Sequence, residues 1–230
     1  VYANDTAGNR NDTETKVFTI DTTLPSVSSL TEYPADPATY SSSQVYEFNA
    51  TVTDTSLAIV RLQFNNVNYT ATNLYGSVYN VTLTSLPAGV HSYRWIANDS
   101  INNINATEIG TYTVNNATGN VELALNGSYA NQTAVYGTQT NATANTSYGT
   151  IVLYRSEEVF TSNNGLLVTL GAGDYNYTAV SLGDQNHSST AITRWVHITK
   201  ASSLVNLTLN GTDGNFTAEQ GKVVLLNLFA

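Results

Sequence analysis

The chain has 230 residues, of which only 11% are charged, and a net charge of −9 with eight Lys plus Arg. Eight scattered basic residues exclude a nucleic-acid binder. The lack of any Cys excludes disulfides, thiolate metal sites and thiol nucleophiles. Polarity comes instead from 34 Thr, 20 Ser, 28 Asn and 15 Tyr, while 41% hydrophobic residues in alternating runs argue against disorder. Such an acidic, Tyr-rich surface suits the cell exterior, cations or sugars. No Met stands at position 1, so a processed chain or a piece of a longer one is expected. The longest apolar runs are strand-length, so neither a signal peptide nor a membrane span is expected within the chain.

In chain order, the first element is a hairpin, Tyr2 to Ile20. It matches Ile96 to Val114 without a gap at an offset of 94: Asn4 with Asn98, Asp5 with Asp99, Asn9 with Asn103, Asn11 with Asn105. A repeat of that length is one small β-domain, and each copy is its closing hairpin. Residues 1–21 therefore read as the end of a truncated domain, and the linker Asp21–Pro25 follows. Residues 26–115 read as a complete domain with strands over Ser26–Thr31, Val45–Thr53, Ala58–Phe64, Val67–Thr72, Val78–Thr84, His91–Asn98 and Asn105–Val114. Period-two alternation places Tyr46, Phe48, Ala50 and Val52 on the core face of one strand, and Val60, Leu62 and Phe64 on that of the next. Trp95 reads as core.

Residues 119–200 read as a second complete domain, with strands over Val121–Asn126, Thr138–Asn145, Thr150–Tyr154, Glu158–Thr161, Leu166–Leu170, Asp174–Leu182 and Thr190–Thr199. Leu86-Pro87-Ala88-Gly89 and Leu170-Gly171-Ala172-Gly173 precede the penultimate strands. Tyr93 and Tyr177 then align 84 apart and are expected to form a tyrosine corner, each hydroxyl bonding back to nearby backbone. Residues 203–230 open a further domain: the run from Val205 repeats that from Val121 at the same offset of 84. Both ends are thus expected to fall inside domains. Donor-strand exchange between subunits is one explanation. It is disfavoured, because head and tail belong to different repeat types and joining them leaves the middle strands missing.

The strongest chemical signal is the Asn-x-Ser/Thr sequon. Seventeen occur: Asn4, Asn11, Asn49, Asn68, Asn80, Asn98, Asn105, Asn116, Asn126, Asn131, Asn141, Asn145, Asn176, Asn186, Asn206, Asn210 and Asn215. Composition alone would give roughly six or seven, so surface N-glycosylation is expected. Strand parity leaves Asn49 and Asn80 facing outward, and Asn141 crowds Asn145. The turn carboxylates Asp5, Glu14, Asp21, Asp99 and Glu108 recur around domain junctions, where calcium could bind, with Asp5, Asp21, Asp99 and Glu108 the candidates carried forward. Calcium wants six to eight oxygens and several carboxylates, and no EF-hand-type loop exists, so capping of turns is the preferred role. His91, His187 and His197 share no metal-like spacing and read as surface or packing residues. Asp184 reads as a turn residue like Asp99. No nucleophile elbow or phosphate loop is present, so no catalytic residue, no cofactor and no enzyme are expected.

The ANDTAGN turn with its FTIDTTLP tail resembles the immunoglobulin-like or fibronectin-III-like repeats of very long archaeal and bacterial surface proteins. YGTQTNATANTSYGTIVLYR and LGAGDYNYTAVSLGDQNHSST resemble a second repeat type of such arrays. The resemblance implies tandem all-β sandwiches in an extended array, and the sequon density points to an archaeal glycoprotein. It further implies a structural role as surface-layer, stalk or filament subunit, contacting neighbouring copies or surface-layer components. The alternative is an adhesin module whose loops bind a glycan or another cell.

Overall fold

The computed structural model describes residues 3–11, 20–203, 206–209, 212–215 and 217–229. Contacts divide the chain into two units, Val1–Ala117 and Thr118–Ala230. In the first, β1 (Ala3–Asn4) pairs with β2 (Arg10–Asn11) across a tight turn. There follow β3 (Ser26–Tyr33), β4 (Ala38–Thr39), β5 (Val45–Thr53), β6 (Leu57–Phe64), β7 (Val67–Thr70), β8 (Thr72–Tyr75), β9 (Val78–Thr84), β10 (Gly89–Asp99), β11 (Ile104–Ala106) and β12 (Gly110–Asn115). These make a β-sandwich. One sheet has the order β3-β5-β9-β8, the other β4-β12-β10-β6-β7, with β11 also on β10.

The sandwich closes because pleating sends alternate side chains to one face. Tyr46, Phe48, Ala50 and Val52 on β5 are at most 1% exposed, and Val60, Leu62 and Phe64 on β6 at most 3%. Trp95 and Ala97 on β10 and Tyr112 and Val114 on β12 complete the core. The Phe48 ring meets Phe64, Tyr93 and Tyr112 at 5.2–5.3 Å between centroids, tilted or edge-on, the arrangement aromatic quadrupoles favour. Each large buried side chain contributes about 1.5–3 kcal/mol by leaving water. The chain crosses between sheets from β3 to β4, where β4 lies parallel to β12 and covers its edge. Tyr112 fixes that crossing by donating its hydroxyl proton to the Pro34 carbonyl at 2.8 Å, and Thr113 N–H donates to Asp36 Oδ1 at 2.8 Å.

The second unit carries β13 (Glu122–Leu125), β14 (Gln132–Val135), β15 (Gln139–Thr140), β16 (Ala142–Asn145), β17 (Ile151–Arg155), β18 (Glu158–Val159), one 3-10 turn (Thr161–Asn163), β19 (Val168–Thr169), β20 (Gly173–Ser181) and β21 (Thr190–Thr199). A five-stranded sheet, β14-β21-β20-β17-β18, stands with the smaller pairs β13-β16 and β15-β19. Its core is Leu123, Leu125, Ala142, Ala144, Leu153, Phe160, Leu170, Tyr177, Ala179, Val196 and Ile198. As in the first unit, an early strand switches to pair in parallel with the last, β14 with β21. The chain continues through β22 (Asn206–Leu209), β23 (Thr212–Asp213) and β24 (Leu226–Phe229), a sheet of order β23-β22-β24. The 84-residue repeat is visible here: Leu125 bridges Ser128 as Leu209 bridges Thr212.

The corner before each penultimate strand exists, but Tyr93 and Tyr177 do not make it. The Tyr93 hydroxyl donates across the sandwich to the Glu32 carboxylate on β3. Among the described residues the buried Tyr177 hydroxyl meets no backbone acceptor at hydrogen-bond distance; the Arg155 side chain lies beside it. Two residues earlier, Tyr175 donates to the Gly171 carbonyl at 3.2 Å, and His91 Nε2 lies 2.9 Å from the Pro87 carbonyl. His91 and Tyr175 are also 84 apart and each closes on the residue four before it. The physical reason is reach: the ring next to the corner can touch the corner carbonyl, whereas one pleat period further on it points into the core. Pro87 O can only accept, so Nε2 of His91 carries the proton and Nδ1 accepts from the Asn65 amide at 3.0 Å.

Tyr175→Phe is therefore expected to destabilise the second unit by about 1 kcal/mol, one hydrogen bond, while Tyr177→Phe leaves melting unchanged or raised; calorimetry of both variants checks this. Burial, with Tyr46, Asp36 and Glu32 nearby, pushes Tyr112 up to about 12, and Tyr93 is also raised, chiefly by burial and then by Glu32. Unfolded tyrosines ionise near 10, so the neutral phenols stabilise the fold fully below about pH 10 and less as pH rises toward 12. Phenolate absorbance of these residues should accordingly appear together with loss of the first unit's near-ultraviolet circular dichroism, not before it.

Candidate functional site

The duplicated hairpin turn builds the site. Asp99 Oδ1 accepts from the backbone N–H of Ile101 at 3.0 Å and Asn103 at 2.7 Å, and its Oδ2 accepts from Asn103 Nδ2 at 2.8 Å. Asp5 does the same 94 residues earlier, with Ala7 N and Asn9 N at 2.9 Å and Asn9 Nδ2 at 2.8 Å. The left-handed position that each turn requires is Gly8 in one copy and Asn102 in the other. Asp184 caps its own turn through the N–H groups of Asn186 and His187, both at 2.8 Å. The capping role expected of these aspartates is therefore present in the structure.

The same turn also fastens the linker. Asn103 Nδ2 donates to the Asp21 carbonyl at 3.0 Å, and Asn105 Nδ2 donates to the Pro25 carbonyl at 2.7 Å. Pro25 is buried. From the turn after β5, the Ser56 hydroxyl reaches Asp21 Oδ2 and Asp54 Oδ1, each at 3.0 Å. Both asparagines belong to the repeating motif, where Asn9 and Asn11 are their counterparts.

These ties bring Asp21, Asp54 and Asp99 together, one oxygen of each lying within 4.8 Å of the others. Asp99 is buried and the other two are half-buried. Every hydrogen bond to the three carboxylates among the described residues comes from a neutral donor. Backbone N–H of Thr23 and the Ser56 hydroxyl hold Asp21 below the usual carboxylate range. Oxygens at this spacing can share one ion at the 2.3–2.6 Å that calcium requires, with carbonyls or water completing the set. Of the expected calcium candidates, the structure unites Asp21 and Asp99, and Glu14 lies outside the described residues. Asp5 sits in its own turn, and exposed Glu108 lies outside the group. Sequence reasoning missed Asp54, whose one signal is its place directly after the alternating run of β5. Among the described residues no histidine joins such a group: His91 is buried packing, His187 stacks on Tyr148 at 3.4 Å, and His197 pairs with Asp174 at 2.5 Å on the surface.

The sequons divide by what their amide nitrogen meets. Asn4, Asn68, Asn116, Asn126, Asn131, Asn145 and Asn215 are exposed; Asn49, Asn80, Asn98, Asn105, Asn141, Asn176 and Asn186 are half-buried. The side chains of Asn11 and Asn206, and Asn210 altogether, lie outside the described residues. Asn80, Asn98, Asn105 and Asn141 aim Nδ2 at protein oxygens, those of Asn49, Asn102, Pro25 and Gly165. Asn126 and Asn131 do the reverse: Oδ1 accepts from the backbone N–H of Asn141 and Trp195, which turns Nδ2 outward.

No protein-family model and no curated protein matches the sequence. Solved structures match the chain at low identity. The fibronectin(III)-like modules of Clostridium thermocellum CbhA are 13% identical, with 77% of this chain and 95% of that one covered and a TM-score of 0.32. Dimeric latent PorU of Porphyromonas gingivalis is 15% identical over 80% of this chain and 21% of its own, at 0.34. SGBP-B of the Bacteroides ovatus mixed-linkage glucan utilization locus, solved in complex with a mixed-linkage heptasaccharide, is 13% identical over 89% of this chain and 61% of its own, at 0.30. The β-sandwich is read from the sheets themselves.

Three carboxylates with oxygens within 4.8 Å of one another repel where they are ionised. Asp54→Asn keeps the Ser56 contacts and should raise the melting temperature of the first unit in EDTA. In millimolar calcium the parent should gain more than the variant, reversing the order. Acidification removes Asp21's share of stability, which is present above the ordinary carboxylate value and lost as pH falls below it through the lowered folded-state value; melting followed against pH checks this.

Proposed function

We propose that the chain is a non-enzymatic structural module of an extracellular surface assembly, a glycosylated surface-layer, stalk or filament subunit of archaeal type. The observation that carries this reading is the fastened linker. Asn103 and Asn105, two residues of the 94-residue repeat, hold the backbone of Asp21 and Pro25. A connector tied by its own repeat transmits force and holds direction, where a free Gly/Ser linker would not. Repeated along a tandem array, the tie would make a stiff rod of sandwiches. A divalent cation at Asp21, Asp54 and Asp99 would stiffen it further.

The surface composition supports the same reading. With 17 sequons and few charges, covalent sugars would supply solvation and shield strand edges. The partners would be neighbouring copies or surface-layer components. No helix among the described residues is long and apolar enough to cross a membrane.

Two measurements test this. Asn103→Ala and Asn105→Ala should each lower the first unit's stability by about 1 kcal/mol and open the linker at residues 21–25 to protease, which spares the parent; cleavage of the parent there would overturn the stiff-connector reading. Cryo-EM of the protein on its native surface should show ordered rods or lattices with extra density at exposed sequons. Unmodified, freely soluble monomers would overturn the structural assignment.

A further inference from the structure

Trp195 is the point on the surface that neither the fold nor the linker explains. It lies on β21, an interior strand of the five-stranded sheet, and is 47% exposed. On the outward face of β20 and β21 the rungs on either side of Trp195 are polar, Asp174 opposite His197 and Thr178 opposite Thr193, with Asn176 opposite Trp195 itself and Val180 opposite Ala191 beyond. The two threonine hydroxyls are bonded at 2.8 Å. Trp95, the other tryptophan, is buried. No aromatic ring or cation covers the Trp195 indole among the described residues.

An open pocket of about 230 Å³ adjoins the ring, lined by Ser156, Glu157, Asp174, Asn176 and Trp195. One wall is the tight turn at Ser156 and Glu157, whose backbone is held by Ser156 N–H donating to the Asn176 carbonyl at 2.9 Å. Asn176 begins the sequon Asn-Tyr-Thr. Among the described residues its side-chain amide has no protein partner, unlike those of Asn80, Asn98, Asn105 and Asn141. The site thus places an attachment atom, an apolar ring face and a carboxylate around one cavity.

We infer that Asn176 carries an N-linked glycan whose first sugar ring packs on the face of Trp195. The C–H face of a pyranose is apolar and its hydroxyls are not. The indole offers a flat apolar surface for the first, and Asp174 and Glu157 offer acceptors for the second. Attachment directly across the ladder removes most of the entropy that a free sugar would lose on binding. The inference rests on the glycosylated reading above and names one occupied position and its partner.

The test uses protein isolated with its native glycans, with glycopeptide mass spectrometry and iodide quenching of tryptophan emission; buried Trp95 serves as internal reference. Asn176→Gln and Thr178→Ala each remove the sequon, and Asn68→Gln removes one in the first unit. Sugar on Asn176, with quenching of the exposed tryptophan raised about twofold in the first two variants and unchanged in the third, is the expected result for uncovering one face of an indole. Asn176 bare while other sequons carry sugar, or glycosylated with quenching unchanged, overturns this inference and leaves the surface-glycoprotein reading standing. No sugar on any sequon overturns both. Protection of Trp195 in bare protein by added chitohexaose or cellohexaose alone would make the site a receptor for free saccharide instead, and would equally overturn the attached-glycan assignment.

Discussion

The carboxylate of Asp99 holds the hairpin turn on which the first unit's entry depends. It accepts from two backbone N–H groups and one side-chain amide within five residues, each bond closing the turn around one carboxylate. That bond orients Asn103, whose second amide proton then reaches the Asp21 carbonyl. The linker, the turn after β5 and the closing hairpin are joined at one place by consequence. The same bonds gather three carboxylates, so the device that fastens the linker also concentrates negative charge there. A cation would offset that repulsion, and on the proposed reading it would tighten the junction it sits in.

The sandwich solves its edges in a way that suits a surface with few charges. In both units an early strand crosses to pair in parallel with the last one, β4 with β12 and β14 with β21. The crossing is pinned by side chains, Tyr112 and Asp36 in one unit and Asn131 in the other. Edges covered by the fold itself need fewer of the lysines that other sheets place there. What remains exposed includes many Thr and Asn side chains, groups that hydrogen-bond water without charge. A sequon-rich surface of this kind is chemically continuous with the sugars it is proposed to carry.

The all-β class and the core parity were legible because period two is a local property. Tyr46, Phe48, Ala50 and Val52 had to share a face whatever packed on it, and they do. The turn geometry was legible too, since the offset of 94 preserved the residues that make it, and Asp5 and Asp99 form matching bonds. The corner was less so. Spacing locates it, but which of two rings one pleat period apart closes it depends on the distance to a carbonyl, and His91 and Tyr175 reach where Tyr93 and Tyr177 do not. Asp54 carried no motif and became visible only through its neighbours in space.

Sequence by itself determined which residues alternate, where turns close and which asparagines are acceptor candidates, because backbone sterics and side-chain parity act over a few residues. Tertiary structure decided what those residues do. Leu123 and Leu207 occupy the same place in two copies of one repeat, yet Leu123 is fully buried and Leu207 is 48% exposed, since burial requires an opposing sheet and not a sequence. Likewise only the folded ladder sets Trp195 beside Asn176, and only the folded junction sets Asp21 and Asp54 beside Asp99. Those meetings span tens of residues of chain, and no local rule encodes them.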